Sequence, residues 1–166
     1  MNNQKFLLLI TALILASVAF WGYMFYSNNT SSDANAILTK GDSEFATVTM
    51  YRSEGCQCCV KWAEHMQDNG FVVESQTVDN LLEMKSQNGV TPELASCHTA
   101  FVDGYIVEGH VPAEDVKRLL NEKPEAAGIT VPGMPIGSPG MEGAYVQNYD
   151  VILFDKEGEE EVFATH

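Results

Sequence analysis

Apolar and polar positions along the chain follow the periods of both strands and helices. An apolar run from Phe45 to Tyr51 predicts a strand. After a short turn, apolar residues recur at positions i, i+3, i+4 and i+7, which is typical of one face of a helix: Cys59, Trp62, Ala63 and Met66. Gly70 is expected to end this helix.

The rest of the pattern predicts two more helices and five more strands. The pair Asp103-Gly104 between two apolar runs is a strong signal for a two-residue hairpin. In chain order we expect a strand at 71–76, a short helix capped by Asp79 and ended by Asn88-Gly89, hairpin strands at 98–102 and 105–108, a helix from Ala113 to Glu122, and strands at 149–154 and 161–164.

Residues 128–143 hold five of the 13 glycines and three of the six prolines. This composition predicts a loop, which we interpret as a Gly/Pro-rich extension of the domain. Met134 and Met141 each follow a Pro-Gly pair within it, and a thioether held in a rigid turn is a soft ligand suited to Cu(I). Packing of both methionines onto the domain is an equally good interpretation.

The first 36 residues predict export from the cytoplasm. Residues 6–26 are almost wholly apolar, carry no charge and follow Lys5, and their length suits a helix that spans a membrane. Ser17-Val18-Ala19 and Ala34-Asn35-Ala36 resemble cleavage sites of a signal peptide. We favour a retained anchor over a cleaved signal, with residues 1–36 as anchor and linker and residues 37–166 as one domain outside the cytoplasm.

Charge narrows the range of partners. The chain has 9 basic and 23 acidic residues among 166, a formal net charge of -14. This balance argues against binding of nucleic acid or of an anionic membrane by charge. It is compatible with a domain that attracts cations.

Three of the four cysteines lie within the four positions Cys56-Gln57-Cys58-Cys59, at the turn that enters the first helix. Free N–H groups and the positive dipole end stabilise a thiolate there. The C-x-x-C pair of Cys56 and Cys59 favours thiol-disulfide exchange, while Cys58 adds a third thiol that makes a chelate for a thiophilic ion. Purely structural cysteines are the weaker interpretation, because structural disulfides usually join distant segments.

The predicted order of strand, cysteine turn, helix, strand, helix, hairpin and helix is that of a thioredoxin-like α/β domain. In that fold the loop before the hairpin passes close to the cysteine turn, so Cys97 is expected beside the other three cysteines. Cys97-His98 stands where such a chain usually has a proline, which favours a metal site. His98 and His110 are further candidate ligands, but a hydrogen-bonding role for His98 and capping or packing for His110 are equally good interpretations. His65 is expected on the surface and His166 without a role.

Four motifs in the same order resemble the CopG-like family, exported bacterial proteins associated with copper resistance. They are Cys56-Gln57-Cys58-Cys59-Val60-Lys61-Trp62, Ser96-Cys97-His98-Thr99-Ala100, Glu108-Gly109-His110-Val111-Pro112-Ala113, and the pair Val131-Pro132-Gly133-Met134-Pro135 and Gly137-Ser138-Pro139-Gly140-Met141-Glu142. The resemblance spans residues 46–154. It implies a thioredoxin-like domain that binds copper through its cysteines and cycles the redox state of copper or of its thiols.

Two functions follow from these observations. The first is a periplasmic protein that holds Cu(I) in copper resistance, with copper-efflux or redox proteins as partners and with these candidate ligands: Cys56, Cys58, Cys59, Cys97, His98, His110, Met134 and Met141. The second is a thiol-disulfide oxidoreductase in which Cys56 attacks and Cys59 resolves. A structural zinc site is a weaker third interpretation, because neighbouring Cys58 and Cys59 cannot easily direct both sulfurs at one tetrahedral ion.

Overall fold

Seven strands form one mixed sheet in residues 46–166, the part of the chain that the computed structural model describes. The strands are β1 (Thr47–Arg52), β2 (Val72–Thr77), β3 (His98–Val102), β4 (Tyr105–Gly109), β5 (Gly128–Val131), β6 (Asp150–Phe154) and β7 (Glu160–Thr165). The helices are α1 (Gln57–Asp68), α2 (Leu81–Gln87) and α3 (Ala113–Glu122). The fold is therefore mixed α/β, as the sequence predicts.

The predicted anchor at residues 6–26 lies outside the described residues. Among residues 46–166, no helix has both the length and the apolar character needed to cross a membrane.

The strand order is β2-β1-β3-β4-β5-β6-β7. The pairs β1/β2 and β4/β5 are parallel, and the other neighbours are antiparallel. The helix α1 connects the parallel strands β1 and β2, as parallel pairing requires. The predicted hairpin β3-β4 is confirmed, and its turn residues Asp103 and Gly104 both have positive φ, 47° and 87°.

The predicted apolar face of α1 is confirmed, because its buried residues are Cys59, Trp62, Ala63 and Met66. These side chains pack with those of the central strands in the main core. The Trp62 indole N–H also donates a hydrogen bond to the Val111 carbonyl at 2.8 Å. Burial and this bond together fix the cysteine-bearing helix against the segment between β4 and α3.

Two predictions about elements are wrong. Residues 128–131 are the strand β5 rather than loop, because Gly128 lets β5 approach the Ile106 carbonyl more closely than any residue with a Cβ could. The N-cap of α2 is Asn80 rather than Asp79. Glycine content did not indicate a loop at residues 128–131, and the acidic Asp79 did not mark the N-cap of α2.

Candidate metal centre

The start of α1 and the residue before β3 bring all four cysteines together. Cys56 is the N-cap of α1, and Cys58 and Cys59 lie in its first turn. Cys56 and Cys59 form a disulfide, while Cys58 and Cys97 are free thiols. The Cys58 sulfur is 3.5 Å from that of Cys56 and 3.8 Å from that of Cys97, and the Cys97 sulfur is 3.6 Å from that of Cys59. The four sulfurs all lie within 4.8 Å of one another.

The helix start itself favours negative charge at this place. No side chain caps the N-terminus of α1, and its first turn has no acidic residue. The N–H groups of that turn therefore lack side-chain acceptors, and the positive end of the helix dipole lies beside the cysteines. Negative charge at this end of α1 is stabilised by both effects.

His110 extends the cluster beyond sulfur. Its Nε2 is 2.8 Å from the Cys97 sulfur, and its Nδ1 is 2.8 Å from the Pro139 carbonyl oxygen. Because a carbonyl only accepts, Nδ1 must carry the proton and Nε2 presents its lone pair to Cys97. Burial lowers the pKa of His110, which favours this neutral form. The imidazole is thus oriented as an imidazole that binds a metal through Nε2 is oriented.

His98 lies beneath the cluster and is fully buried. Its Nδ1 is 3.3 Å from the Cys97 sulfur, and its ring packs between those of Trp62 and His110, with centroids 4.4 and 5.1 Å away. Its Nε2 has no hydrogen-bond partner among the described residues. Burial, reinforced by the nearby His110, holds the pKa of His98 well below its usual range. His98 is therefore a neutral imidazole.

Cys97 is the most strongly perturbed thiol. Burial, followed by the neighbouring Cys58, raises the pKa of Cys97 to about 12. The thiol consequently keeps its proton at neutral pH unless a cation replaces that proton. The His110 Nε2 is the nearest acceptor for it.

Gly140 and Glu142 dock the Gly/Pro-rich extension onto this end of α1. The backbone of Gly140 packs against the Cys58 carbonyl and the Trp62 N–H, and the Gly140 N–H donates to the Glu142 carboxylate at 2.7 Å. Backbone hydrogen bonds lower the pKa of Glu142, and the same carboxylate lies 3.8 Å from the Lys61 ammonium. These contacts position the Pro139 carbonyl that orients His110.

The two methionines flank the site without a contact that assigns them to it. Met134 is 52% exposed, and Met141 is half-buried directly after Gly140. The ligand role of both thioethers stays a prediction, as does that of every cysteine and histidine above.

Both histidines that sequence reasoning set aside make specific contacts. His65 is not a free surface residue: its Nε2 accepts a hydrogen bond from the Ala113 N–H at 3.1 Å, which caps α3 and joins it to α1. Burial lowers its pKa. The His166 Nε2 lies 2.7 Å from an Asp115 carboxylate oxygen, and its ring stacks on Tyr149.

Sequence reasoning missed a buried polar network beside Cys97. Lys85 of α2, Thr99 of β3 and Glu108 of β4 are all buried and bonded to one another. The signal available was a charged residue at a position expected to be buried. Glu108 follows Ile106-Val107 in a strand that pairs on both sides, and Lys85 lies one helical turn after the buried Leu81.

The fold and the site define a small α/β protein whose cysteines and histidines converge at a helix start. Residues 94–141 match a family described as a protein of unknown function, DUF411. Two solved structures, named copper resistance protein copG, Form 2 and Form 1, are each 40% identical in sequence and cover 74% of this chain. The matches cover 99% and 98% of those chains, with TM-scores of 0.71 and 0.70. No curated protein matches the chain.

The chain belongs to the CopG-like family of copper resistance proteins. The resemblance predicted from the four motifs is thereby confirmed.

Proposed function

We propose that this chain is an exported protein of copper resistance that holds Cu(I) through its clustered cysteines. The observation that carries the proposal is the convergence of three other sulfurs and the His110 Nε2 on the Cys97 sulfur. Cys97 belongs both to the four-cysteine group and to a group with His98 and His110. Thiolate sulfur and imidazole nitrogen are soft and borderline donors, which suit Cu(I). The names of the two related structures support copper as the ion.

The donor set fits more than one ion. Cys97 is shared between the two groups, so one sulfur can bridge ions that the other sulfurs and His110 bind. His98, whose Nδ1 lies 3.3 Å from the Cys97 sulfur, is a further buried nitrogen donor at the same place. A thiolate cluster with several Cu(I) ions is therefore the form of binding that we propose.

Copper binding by all four cysteines requires a change of redox state. A sulfur in the Cys56–Cys59 disulfide is not a thiolate, so an external dithiol or another two-electron donor must first reduce it. The reduction adds two electrons and two protons and yields two thiols. Each thiol that binds copper as a thiolate then releases one proton, whether it binds one ion or bridges two.

Zinc is the competing ion. A tetrahedral Zn²⁺ with four sulfurs at about 2.3 Å separates those sulfurs by about 3.8 Å, and the three non-bonded contacts are 3.5 to 3.8 Å long. These three spacings match one zinc ion once the disulfide opens, while the adjacency of Cys58 and Cys59 in the chain disfavours it. The nature of the ion must be decided by affinity rather than by spacing.

Anaerobic titration of the reduced full chain tests the proposal. We expect Cu(I) to be taken up from a chelator of known affinity, with metal analysis giving more than one copper per chain, and Zn²⁺ to be bound much more weakly. Lys123→Met, which alters only an exposed ion pair with Asp103 at the β3-β4 turn, is a control expected to bind like the parent. A chain that prefers zinc, or that binds no copper under these conditions, contradicts the proposal.

Thiol-disulfide exchange is the second candidate function, and the disulfide between Cys56 and Cys59 favours it. In the reduced state Cys56 would attack a substrate disulfide and Cys59 would resolve the mixed disulfide. A redox titration with copper release followed in parallel tests this function. We expect a reversible two-electron couple in the parent and in Cys58→Ser, with weaker copper retention in the variant. Absence of such a couple in the parent would leave copper binding alone.

The thioredoxin-like assignment of the domain belongs to this proposal. It is supported by the parallel β1-α1-β2 unit, the antiparallel β3-β4 hairpin beside β1, and the cysteines at the start of α1. An experimental structure superposed on a thioredoxin tests it, and a different strand order would contradict it.

Export, by a membrane anchor or a cleaved signal, is likewise a proposal and is supported by the apolar residues 6–26. Labelling of the free thiol of Cys58 in intact cells by a membrane-impermeant thiol reagent tests it. Labelling only after lysis would contradict it.

A further inference from the structure

One buried carboxylate holds both ends of the segment that carries the fourth cysteine. Glu108 has no exposed surface. Its Oε1 accepts a hydrogen bond from the Ser96 N–H at 2.6 Å, and its Oε2 accepts one from the Thr99 hydroxyl at 2.7 Å. Ser96 and Thr99 directly flank Cys97 and His98 in the chain. The carboxylate therefore clamps this dipeptide from both sides.

Lys85 offsets the free-energy cost of burying the Glu108 carboxylate. A buried carboxylate is costly unless it is paired and fully hydrogen-bonded. The Lys85 ammonium, almost completely buried, donates to Glu108 Oε1 and to the Thr99 hydroxyl oxygen, the latter at 2.9 Å. The short helix α2 thus supplies the charge that allows β4 to carry Glu108.

The clamp acts where the sheet no longer holds the chain. Pairing of β3 with β1 ends at His98, opposite Arg52, and pairing of β3 with β4 begins at Thr99. Cys97 therefore lies one residue outside the ladder. Without another restraint, its backbone would have the freedom of a loop.

Two glycines complete the restraint on Ser96. Gly109 packs so closely against the Ser96 side chain that a Cβ at this position would overlap it, and Gly109 has φ of +73°. The Ser96 hydroxyl donates to the Gly133 carbonyl, and the Gly133 N–H donates to the Ala95 carbonyl at 3.0 Å. Ser96 is consequently held by β4 on one side and by the extension on the other.

We propose that Glu108 and Lys85 are a positioning pair that holds Cys97 within reach of the other three sulfurs. This inference rests on the proposed function for its effect on copper. Neither residue touches the sulfurs, so both act through the backbone of Ser96 and through Thr99. Outer partners of metal ligands typically change affinity by about 10- to 100-fold when they are removed.

The first experiment compares variants of the full chain for Cu(I) affinity and for unfolding by urea. We expect Glu108→Ala to lower the affinity of the folded chain by about 10- to 100-fold. The double variant Glu108→Gln with Lys85→Met should restore most of it, because the Gln carbonyl can still accept from the Ser96 N–H while no unpaired cation remains. Ile129→Val, a buried change on β5, is the control that lowers stability without lowering affinity.

A merely structural role predicts a different result. If Glu108 only stabilised the fold, Glu108→Ala would lower the urea midpoint of unfolding and leave the copper affinity of the folded chain unchanged. A double-mutant comparison sharpens the distinction: in a Cys97→Ser background, the change at Glu108 should have no further effect on affinity. If Glu108→Ala does not fold, Thr99→Val, which releases one end of the clamp, takes its place with an expected smaller loss.

A second measurement needs no metal, so it tests the positioning role of Glu108 and Lys85 independently of copper binding. In the disulfide state Cys58 and Cys97 are free and their sulfurs are 3.8 Å apart. A bifunctional thiol reagent that has first reacted with Cys58 should therefore bridge to Cys97 in the parent, because the high effective concentration of the tethered second arm offsets the small thiolate fraction of Cys97. We expect Glu108→Ala to reduce this bridging severalfold, while Ile129→Val does not. Unchanged bridging in Glu108→Ala overturns the positioning role. Loss of bridging in a chain that binds no copper would keep the positioning role and overturn the copper function instead.

Discussion

Gly140 offers a sharp test of how the extension contributes to the site. It has φ of +83°, and a Cβ there would lie 2.6 Å from the Cys58 carbonyl oxygen and 2.8 Å from the Trp62 nitrogen. Both are backbone atoms of α1 and cannot rotate away. In Gly140→Ala the extension must therefore move off the helix.

The size of the effect can be worked out against a matched control. An L-residue with left-handed backbone costs about 1–2 kcal/mol relative to glycine. Gly158, with φ of +90° and nothing within 4 Å of a Cβ, isolates this cost. To restore an ordinary contact of 3.4 Å, the loop at Gly140 must retreat by roughly 0.8 Å. Overpacking of this kind adds about 1–3 kcal/mol.

The displacement also reaches His110. Pro139 immediately precedes Gly140, and its carbonyl accepts the bond from the His110 Nδ1–H at 2.8 Å. When the loop retreats, this bond lengthens and the orientation of Nε2 toward Cys97 is lost. We therefore expect Gly140→Ala to lower Cu(I) affinity by about tenfold or more, whereas Gly158→Ala leaves it unchanged.

Urea unfolding of both variants and the parent measures the first effect, and chelator competition measures the second. Gly140→Ala should lose about 1–3 kcal/mol more stability than Gly158→Ala. Equal losses in the two variants would show that Gly140 does not pack against α1, and the reasoning about Pro139 and His110 would then be refuted.

Three further predictions concern single side chains. The free energy of unfolding should decrease as pH falls below 6.5, because burial lowers the folded-state pKa of His65, His98 and His110 below the unfolded value of 6.5 and the unfolded chain then binds more protons. His65→Gln should remove the share of this slope that His65 contributes, in urea titrations at several pH values, and an unchanged slope would contradict a neutral His65 that accepts from the Ala113 N–H. Trp62→Phe should destabilise the chain by about 1–3 kcal/mol because the buried Val111 carbonyl loses its donor, and a loss below about 0.5 kcal/mol in thermal unfolding would contradict that. Cys97→Ser should lower copper stoichiometry or affinity with an unchanged circular dichroism spectrum, and parent-like copper binding would make Cys97 only a core thiol.

Local signals predicted most of the elements because each had a physical cause within a few residues. The helix α3 begins at Ala113 after Pro112 and ends at Glu122, with the bounds that the sequence predicts. The strand β5 could not be predicted from composition, because its glycine serves a close approach to β4 that exists only in the folded sheet. Neighbouring residues in the sequence do not show why a residue is present when its structural contacts are with a distant part of the chain.

The same distinction applies to the site. The spacing of Cys56, Cys58 and Cys59 is local and was visible in the sequence, and the expected approach of Cys97 followed from the order of elements. The orientation of His110 could not be predicted, since its partner Pro139 lies 29 residues further along the chain. The network of Glu108 with Lys85 was missed for the same reason, because it joins a helix to a strand 23 residues away.

The two proposed functions are coupled because they use the same sulfurs. Copper binds Cys56 and Cys59 only when both are reduced, whereas the disulfide excludes copper from them. A ligand that binds one of two states stabilises that state in proportion to the logarithm of its free concentration. For a two-electron couple, each tenfold rise in free Cu(I) above its dissociation constant therefore raises the reduction potential of this disulfide by about 30 mV per copper bound. If both functions hold, the redox titration proposed above must shift with buffered Cu(I), and in an oxidising compartment copper itself would keep the thiols of its own site reduced.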